Sequence, residues 1–584
     1  MKNEEKLSYF LNHAKMIKTD KINKKIRVAV LGSFTLNGFD ETIRVKCYEK
    51  QIECKTYIGD YNQYNQDILK SDSKFYKFNP EITFLILDVR HIIGELFFTP
   101  YSLSLSEKEK LINQKIKEIN NLIITIINNS KSHIILTELQ IPTYSPYGIN
   151  EKNEQLGLKQ MIQKINEGIR DKTKDKQLVS ILDFNEFIQK NGENNVFNYK
   201  QFFSGDIKIS IEFIPKFIDE LLKFIIAILG MTKKCIVLDL DNTLWGGVVG
   251  EDGFDKIKLG DEPIGRSFVE FQKRLLGLNQ RGIILAVNSK NNFDDAIKVI
   301  KDHPNMILRE ENFSSMKINW KDKVSNLCDI SKELNIGLDS LVFFDDDPIN
   351  REFVKEQLKE VLVVDLPTDS SKYSEILTGM NVFESGKITD EDLKRREMYS
   401  EQQKRSEFES EVANFDEFLK QMNIQVEIKK ADSFSIPRIS QLTLKTNQFN
   451  LTTKRYQEDE ISSIVNKKNK IVECARVSDK FGDNGITGVY IVEKMDTEWI
   501  IESFLLSCRI IGRGVEDVLI NQLIERAKIE NIEKIKGKFI PTQKNKPAEN
   551  FYQEFGFKKE GDFWVFNTKD TMKKIEHVKV IKNE

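Results

Sequence analysis

One short stretch constrains this chain more than any other: Cys235-Ile236-Val237-Leu238-Asp239-Leu240-Asp241-Asn242-Thr243-Leu244-Trp245-Gly246-Gly247. It opens with apolar residues that do not alternate, as suits a strand covered on both faces of a parallel sheet. Two carboxylates, Asp239 and Asp241, follow the strand's C-terminal end, where open α/β sheets hold their ligands. One residue between them brings both near one spot as the backbone leaves the strand. Such a pair can share a divalent cation, with one oxygen left to attack phosphorus and another to move a proton. The plain alternative is an acidic surface turn, and three further blocks argue against it.

The next block, Gly282 to Lys290, is another apolar strand ending in a hydroxyl and a cation, Ser289 and Lys290. The third, Trp320-Lys321-Asp322-Lys323, opens a helical stretch. A lysine at a helix start is disfavoured by the dipole, and a phosphate held there explains it. The fourth, Ser340 to Pro348, is a strand ending in Asp345-Asp346-Asp347. Acidic groups clustered at two strand ends repel one another without a cation between them.

The order Asp-x-Asp-x-Thr, Ser, Lys, Asp-Asp resembles the haloacid dehalogenase (HAD) superfamily of phosphotransferases. The resemblance implies Asp239 as nucleophile and Asp241 as general acid/base. It implies Asn242, Thr243, Ser289 and Lys323 around the phosphate. Asp239, Asp241, Asp345 and Asp346 would then hold Mg²⁺. Two lysines compete for the third block, and Lys323 is preferred because the related Trp-x-x-Lys pattern ends there. The intervals between blocks leave room for no large cap, so the site is expected to be open to bulky substrates.

Upstream, Ile26 to Phe34 reads as a strand ending in Gly32-Ser33. Helical pattern follows from about Thr42 to Lys50 and from Glu107 to Asn128. Strand pattern is found at Glu53 to Tyr57, Ile82 to Asp88 and His133 to Thr137, an α/β alternation. Strand-Gly-Ser resembles the nucleophile block of SGNH-type esterases. Of five histidines (His13, His91, His133, His303 and His577) none lies between His133 and the end of this region. A serine without a base is a poor nucleophile. The region is therefore read as an SGNH-like fold without hydrolase activity, serving docking or substrate binding, with Tyr57 to Tyr64 as a candidate binding loop.

Downstream, Ile424 to Lys429 and Trp499 to Leu506 read as strands. Gln441 to Tyr456 is rich in amides and hydroxyls, which suits a polar recognition surface. Ser507 to Glu516 opens an amphipathic helix running to about Ile529. Arg-x-x-Gly-x-Gly at that helix start resembles the pyrophosphate loop of GNAT acyltransferases, where backbone N–H groups receive a pantetheine-linked phosphate. Phe551 to Phe557 resembles the late tyrosine and Gly-Phe of the same fold. Arg509, Gly512, Arg513, Gly514 and Tyr552 are the residues this implies around pantetheine.

Four divisions result: an SGNH-like α/β domain over 1–229, a HAD-like Rossmannoid core with minimal cap over 230–380, a charged helical connector over 381–421, and a GNAT-like α+β domain over 422–584. Together they resemble the FkbH-like family. The stretches that carry this are Asp239 to Gly253, Gly337 to Pro348, Thr446 to Thr453 and Cys508 to Glu516. The resemblance implies transfer of a glyceryl group from 1,3-bisphosphoglycerate to the phosphopantetheine thiol of an acyl carrier protein, with loss of the remaining phosphate, as in polyketide biosynthesis. Asp347 departs from it, since Asn is expected there. Acyl transfer needs a thiolate, from the carrier or from a protein cysteine acting as a way-station. Cys235 and Cys508 are the candidates, although Cys235 also reads as a buried structural residue. A plain HAD phosphomonoesterase, a GNAT-type acyl-CoA acyltransferase and a carrier-docking scaffold are the rivals.

Composition narrows the partners. Lys and Arg number 88 against 90 Asp and Glu, so no charge excess points to nucleic acid or membrane. The longest apolar run, Leu221 to Leu229, holds Lys223 and is too short to span a bilayer. The start lacks the apolar region of a signal peptide, and six scattered cysteines show no metal-ligand spacing. A cytoplasmic enzyme of three or four domains is expected from these features.

Overall fold

The computed structural model describes residues 6–18, 22, 24–384, 401, 405, 408, 412, 414–542 and 544–581. Most of the expected connector over 381–421 lies outside them. The chain forms two compact units, Met1–Ile228 and Leu229–Glu584. The architecture is multidomain α/β, with two parallel sheets and one mixed sheet.

Among the described residues the first unit holds five strands: β1 (Lys24–Gly32), β2 (Ile52–Ile58), β3 (Ile82–Ile86), β4 (His133–Thr137) and β5 (Val179–Leu182). Their spatial order is β2-β1-β3-β4-β5, and all neighbours are parallel. The helices Leu105–Asn129 and Leu158–Thr173 send Ile119, Ile123, Ile162 and Ile165 against Ala29, Leu31 and Leu85 of the sheet. A full capping box starts the first helix: Ser104 and Glu107 exchange bonds across its first turn, satisfying N–H groups that the helix itself cannot.

The second unit begins with β6 (Cys235–Leu238), β7 (Ile284–Ser289), β8 (Phe313–Ile318), β9 (Leu341–Asp345) and β10 (Leu362–Asp365), in the order β10-β9-β6-β7-β8 and all parallel. The unalternating apolar pattern has its physical cause here. Ile236, Leu238, Leu285, Val287, Val342 and Phe344 meet Phe268, Phe271 and Leu275 of the helix Pro263–Gln280 on one face. Cys235, Val237, Ile284, Ala286, Leu341 and Phe343 meet Leu327 and Ile330 of the helix Lys323–Glu333 on the other. Burying each such side chain contributes about 1.5–3 kcal/mol, so both faces must stay apolar.

The same unit continues in a nine-stranded mixed sheet: β11 (Ile424–Lys430), β12 (Phe449–Asn450), β13 (Lys470–Asp479), β14 (Gly482–Lys494), β15 (Glu498–Leu506), β16 (Lys534–Gly537), β17 (Lys558–Glu560), β18 (Phe563–Asn567) and β19 (Val578–Ile581). Neighbours are antiparallel except the pairs β15–β16 and β11–β19. The helix Val515–Ile529 buries Leu519, Leu523 and Ile524 against this sheet. The segment Gln441 to Tyr456, expected as a polar recognition surface, buries part of its polar composition and lines a cavity with Gln441, Lys445, Asn447 and Gln448. Gln441, Thr443, Thr446, Asn450 and Thr452 are buried. Their polar atoms bond locally: Thr443 Oγ1 donates to Ser440 O, Thr452 Oγ1 to Glu502 O, and Asn450 Oδ1 accepts from Thr453 N. Amides and hydroxyls are stable in a core when they satisfy backbone groups in this way.

Candidate active site

The carboxyl edge of the first parallel sheet in the second unit gathers the chemistry. Asp239 follows β6, and its N–H donates to Phe344 O at 2.9 Å, so the sheet pairing carries on into the acid. Asp345 is the last residue of β9, and Asp346 follows it. One oxygen each from Asp239, Asp345 and Asp346 lies within 4.8 Å of the others. Arg351 fixes the two later acids from below: its Nη1 donates to Asp345 O at 2.8 Å and Asp346 O at 2.6 Å.

Lys323 enters this group from the first turn of its helix. Its Nζ lies 2.7 Å from Asp239 Oδ1, 2.7 Å from Asn288 O and 3.0 Å from Asp345 Oδ2. Burial works against its charge, but Asp239 and Asp345 outweigh burial and raise its pKa above that of an ordinary lysine. Lys321, by contrast, is solvated and pairs with Asp329 at 3.7 Å. Burial, then Asp239 and Asp345, push the Asp346 carboxyl up to about 7. Burial and Asp239 raise Asp345 as well. Three crowded, partly desolvated carboxylates facing one ammonium remain short of positive charge. An oxygen-only donor set of this kind suits a hard divalent cation.

Asp241 is not part of that group, and this corrects its assignment as a side-chain metal ligand. Its Oδ1 accepts from Trp245 Nε1 at 2.9 Å and from Val249 N at 3.1 Å, and its Oδ2 accepts from Asn291 Nδ2 at 2.8 Å. Burial raises its pKa while these three donors oppose the rise. An acid so held suits proton transfer, the other role expected of it. Asn242 is also redirected. It has a left-handed φ of 53°, and its Oδ1 accepts from Gly247 N at 2.8 Å. Its side-chain oxygen therefore braces the glycine turn and does not face a phosphate. Gly247 has a φ of 93°, and a Cβ there would meet Asp252 Oδ2 at 2.5 Å, so this turn requires glycine. Thr243 is buried, and its Oγ1 has no hydrogen-bond partner among the described residues. Ser289 is buried at the end of β7. Asp347 acts as a helix cap, its Oδ1 accepting from Ile349 N at 2.9 Å.

The expected cysteines lie elsewhere. Cys235 is fully buried in the apolar layer under the sheet, and burial drives its thiol pKa far up, which removes it as a nucleophile. Cys508 lines a cavity of about 260 Å³ together with Lys234, Asp339 and Ser340. Lys234 precedes β6, while Asp339 and Ser340 precede β9. Cys508 therefore lies near the amino edge of the sheet whose carboxyl edge holds Asp239. The two ends of a five-residue strand stand roughly 15 Å apart.

The loop expected to receive pantetheine is turned inward. Arg509 and Arg513 are buried, with Arg509 Nη2 donating to Asn484 O at 3.3 Å and Arg513 Nη1 3.7 Å from Asp479 Oδ2. Gly512 and Gly514 have φ of 76° and 80°, as a tight turn demands. The Gly512 N–H, however, donates to Glu516 Oε1 at 3.2 Å, and burial pushes the Glu516 carboxyl up to about 7. Tyr552 is buried, and its hydroxyl has no partner among the described residues. The Gly512 N–H is thus taken by the chain's own glutamate, while Arg509 stands beside Cys508 in the wall of the cavity of about 260 Å³.

Sequence reasoning missed Trp245 and Asn291 as partners of Asp241, and Asn288 and Arg351 as supports. Asn291 stands two residues beyond Ser289, on the loop leaving β7 at the functional edge, and that position was the available signal. In the first unit, Ser33 is fully buried, and its Oγ accepts from Asp88 N at 2.8 Å. It is a structural hydroxyl. A histidine does enter that region, from an unexpected element: His91 Nδ1 lies 3.4 Å from Asp88 Oδ2, and Nε2 lies 3.4 Å from Asp206 Oδ2.

Several solved structures are similar to parts of this chain. The N-terminal part of a Bacteroides fragilis protein, containing a phosphatase domain and crystallised with Mg, is 28% identical. It superposes with a TM-score of 0.60 and covers 65% of this chain and 99% of its own. The ribosomal-protein-S18-alanine N-acetyltransferase of Escherichia coli matches at 10% identity and a TM-score of 0.21, covering 26% of this chain and 99% of its own. A spermidine/spermine N-acetyltransferase of Vibrio cholerae matches at 15% identity and a TM-score of 0.20, covering 25% and 94%. No curated protein matches the chain. No helix among the described residues is long and apolar enough to cross a membrane. Residues 27–226 match the family model described as FkbH, N-terminal domain, and to that extent the chain is similar to the FkbH-like proteins.

Proposed function

We propose that the chain is a Mg²⁺-dependent phosphatase that forms a phosphoaspartate on Asp239. The observation carrying this reading is the convergence of Asp239, Asp345 and Asp346 within 4.8 Å, with Lys323 Nζ 2.7 Å from Asp239. The Mg²⁺ bound by the Bacteroides fragilis relative fits this oxygen donor set. Asp239, Asp345 and Asp346 would hold the ion, which supplies neutralisation of the phosphoryl oxygens when bound. Lys323 then holds a phosphoryl oxygen and the nucleophile's carboxylate in one place. Asp239 attacks phosphorus, and Asp241 gives its proton to the departing alkoxide. Asp241 next takes a proton from the water that cleaves the acyl phosphate, releasing inorganic phosphate and restoring Asp239.

The finer reading concerns the substrate. We infer a glyceryl group taken from 1,3-bisphosphoglycerate to the phosphopantetheine thiol of an acyl carrier protein in the cytoplasm, and then dephosphorylated. An open mouth supports a protein-borne substrate. Phe293, Trp320 and Ile349 stand just past the carboxyl ends of β7, β8 and β9, and all three are exposed. Neither Cys235 nor Cys508 lies at this edge, so the carrier's own thiolate attacks the acyl carbon and the acyl phosphate leaves as inorganic phosphate. The remaining monoester is the substrate of Asp239. The acyl-CoA acyltransferase alternative is disfavoured by Glu516, which occupies the Gly512 N–H.

Intact-protein mass spectrometry tests this. The chain is mixed with Mg²⁺, 1,3-bisphosphoglycerate and a phosphopantetheinylated carrier protein, beside an Asp239→Asn variant. A glyceryl adduct on the carrier with wild type, and a phosphoglyceryl adduct with the variant, is the expected result. Phosphate release without carrier acylation would leave a plain phosphomonoesterase.

A further inference from the structure

The first unit carries a cavity of about 280 Å³ at the carboxyl ends of β3 and β4, the edge where open parallel sheets hold ligands. Arg90, just past β3, stands in its wall. The guanidinium carbon lies 5.0 Å from the ring centres of Phe97 and Phe202 and 5.5 Å from that of Tyr199. The Arg90 Nη2 donates to Tyr199 Oη at a long 3.4 Å. Its Nε is buried without a hydrogen-bond partner, and among the described residues Arg90 forms no ion pair. Aromatic faces hold a cation by its flat sides and leave its in-plane N–H donors unsatisfied. Those donors fit a planar or tetrahedral oxyanion.

Two further features point the same way. Gln140, past β4, is 4% exposed. Its Nε2 is committed to Glu193 Oε1 at 3.0 Å, and its buried Oε1 has no partner among the described residues. That oxygen calls for a donor. Phe98, Tyr144 and Phe203 leave half or more of their surface open to water around the same cavity. An apolar ligand body would cover them.

We propose that this cavity binds a small organic anion: an oxyanion against Arg90, an apolar body between the aromatic side chains, and a hydroxyl or N–H donor to Gln140. The anion is a carboxylate or a phosphoryl group, and the first unit binds it without chemical change, because among the described residues no serine, threonine or cysteine lines the cavity.

The test uses the full chain and three probes in isothermal titration: benzoate, phenylphosphonate and benzamide, the last carrying no charge. At least one anion is expected to bind, with benzamide about tenfold weaker or worse. Arg90→Gln should weaken that anion about tenfold. Phe203→Ala, at an exposed position, should weaken it about threefold while the melting temperature stays unchanged. Binding of benzoate alone assigns a carboxylate site, and binding of phenylphosphonate alone assigns a phosphoryl site. Benzamide binding as tightly as the anions, anion binding indifferent to both substitutions, or no binding at millimolar probe would overturn the proposal.

Discussion

Lys323 Nζ lies 2.7 Å from Asp239 Oδ1 and 3.0 Å from Asp345 Oδ2, so one buried ammonium bridges the acids of two neighbouring strands. This links stability to chemistry. The residue that offsets acid repulsion in the folded chain is also placed to hold a phosphoryl oxygen.

Replacing Lys323 by Met leaves Asp239 and Asp345 without their cation. Loss of one partner from a buried pair costs about 3–5 kcal/mol. Denaturant unfolding in EDTA should show that loss, and Mg²⁺ should restore part of it. Phosphatase turnover should fall at least about a hundredfold. A variant as stable as wild type in EDTA would contradict the bridging role.

Asp346 gives the opposite sign. Its carboxyl is pushed up to about 7 by burial and by Asp239 and Asp345. A raised carboxyl pKa means that the folded state resists ionisation. The penalty is absent below the unfolded value, grows as pH rises, and is complete above about 7. Asp346→Asn should therefore stabilise the metal-free chain at pH 8, by about 1–2 kcal/mol after solvent screening. The two proteins should converge toward pH 4. Added Mg²⁺ should reverse the ranking at pH 8, because only wild type keeps the third carboxylate. Thermal melts with EDTA and with Mg²⁺ read this directly.

Asn291 donates to Asp241 Oδ2 and thereby favours its charged form. Asn291→Ala should raise the Asp241 pKa further, moving the acid limb of the kcat–pH profile upward and lowering kcat about tenfold. An unmoved profile would separate Asn291 from the proton transfer.

His91 links the first unit to pH. The Asp88 carboxylate, 3.4 Å from its Nδ1, raises its pKa against the opposing effect of burial. A raised histidine contributes stability that is present below its unfolded value near 6.5 and is lost as pH rises through the higher folded value. Hydrogen exchange of peptides covering 82–93 and 199–210 should therefore be better protected at pH 6 than at pH 8.5 after correction for intrinsic rates. His91→Gln should remove the difference.

The acidic edge of the second unit was legible because its acids sit at the ends of apolar runs, and strand ends are fixed by local pattern. Asp239 and Asp345 follow from that alone, whereas Lys323, at a helix start, is singled out only by the resemblance that carries its Trp-x-x-Lys pattern. Which oxygen faces which neighbour is a matter of side-chain packing, and there the sequence misleads. Asp241 is drawn away by Trp245 and Asn291, and Asn242 turns to Gly247. Glu516 filling its own helix start, and Cys508 falling at the far edge of the sheet, depend on contacts distant in the chain and leave no periodic trace. The polar run Gln441 to Tyr456 shows the limit of composition, since buried and exposed amides look alike until their partners are known. No histidine follows His133 in the first unit; the ring beside Asp206 comes instead from His91, just past β3, a contact distant in the chain.

Trapping the covalent intermediate decides whether Asp239 is the nucleophile. The chain is mixed with Mg²⁺ and a phosphomonoester, quenched in acid within the first turnover, reduced with borohydride and mapped by peptide mass spectrometry. Reduction converts an aspartyl phosphate to homoserine, and homoserine at position 239, absent from Asp239→Asn, is the expected result. Phosphate release with an unmodified Asp239 under these conditions, or undiminished turnover by Asp239→Asn, would contradict it.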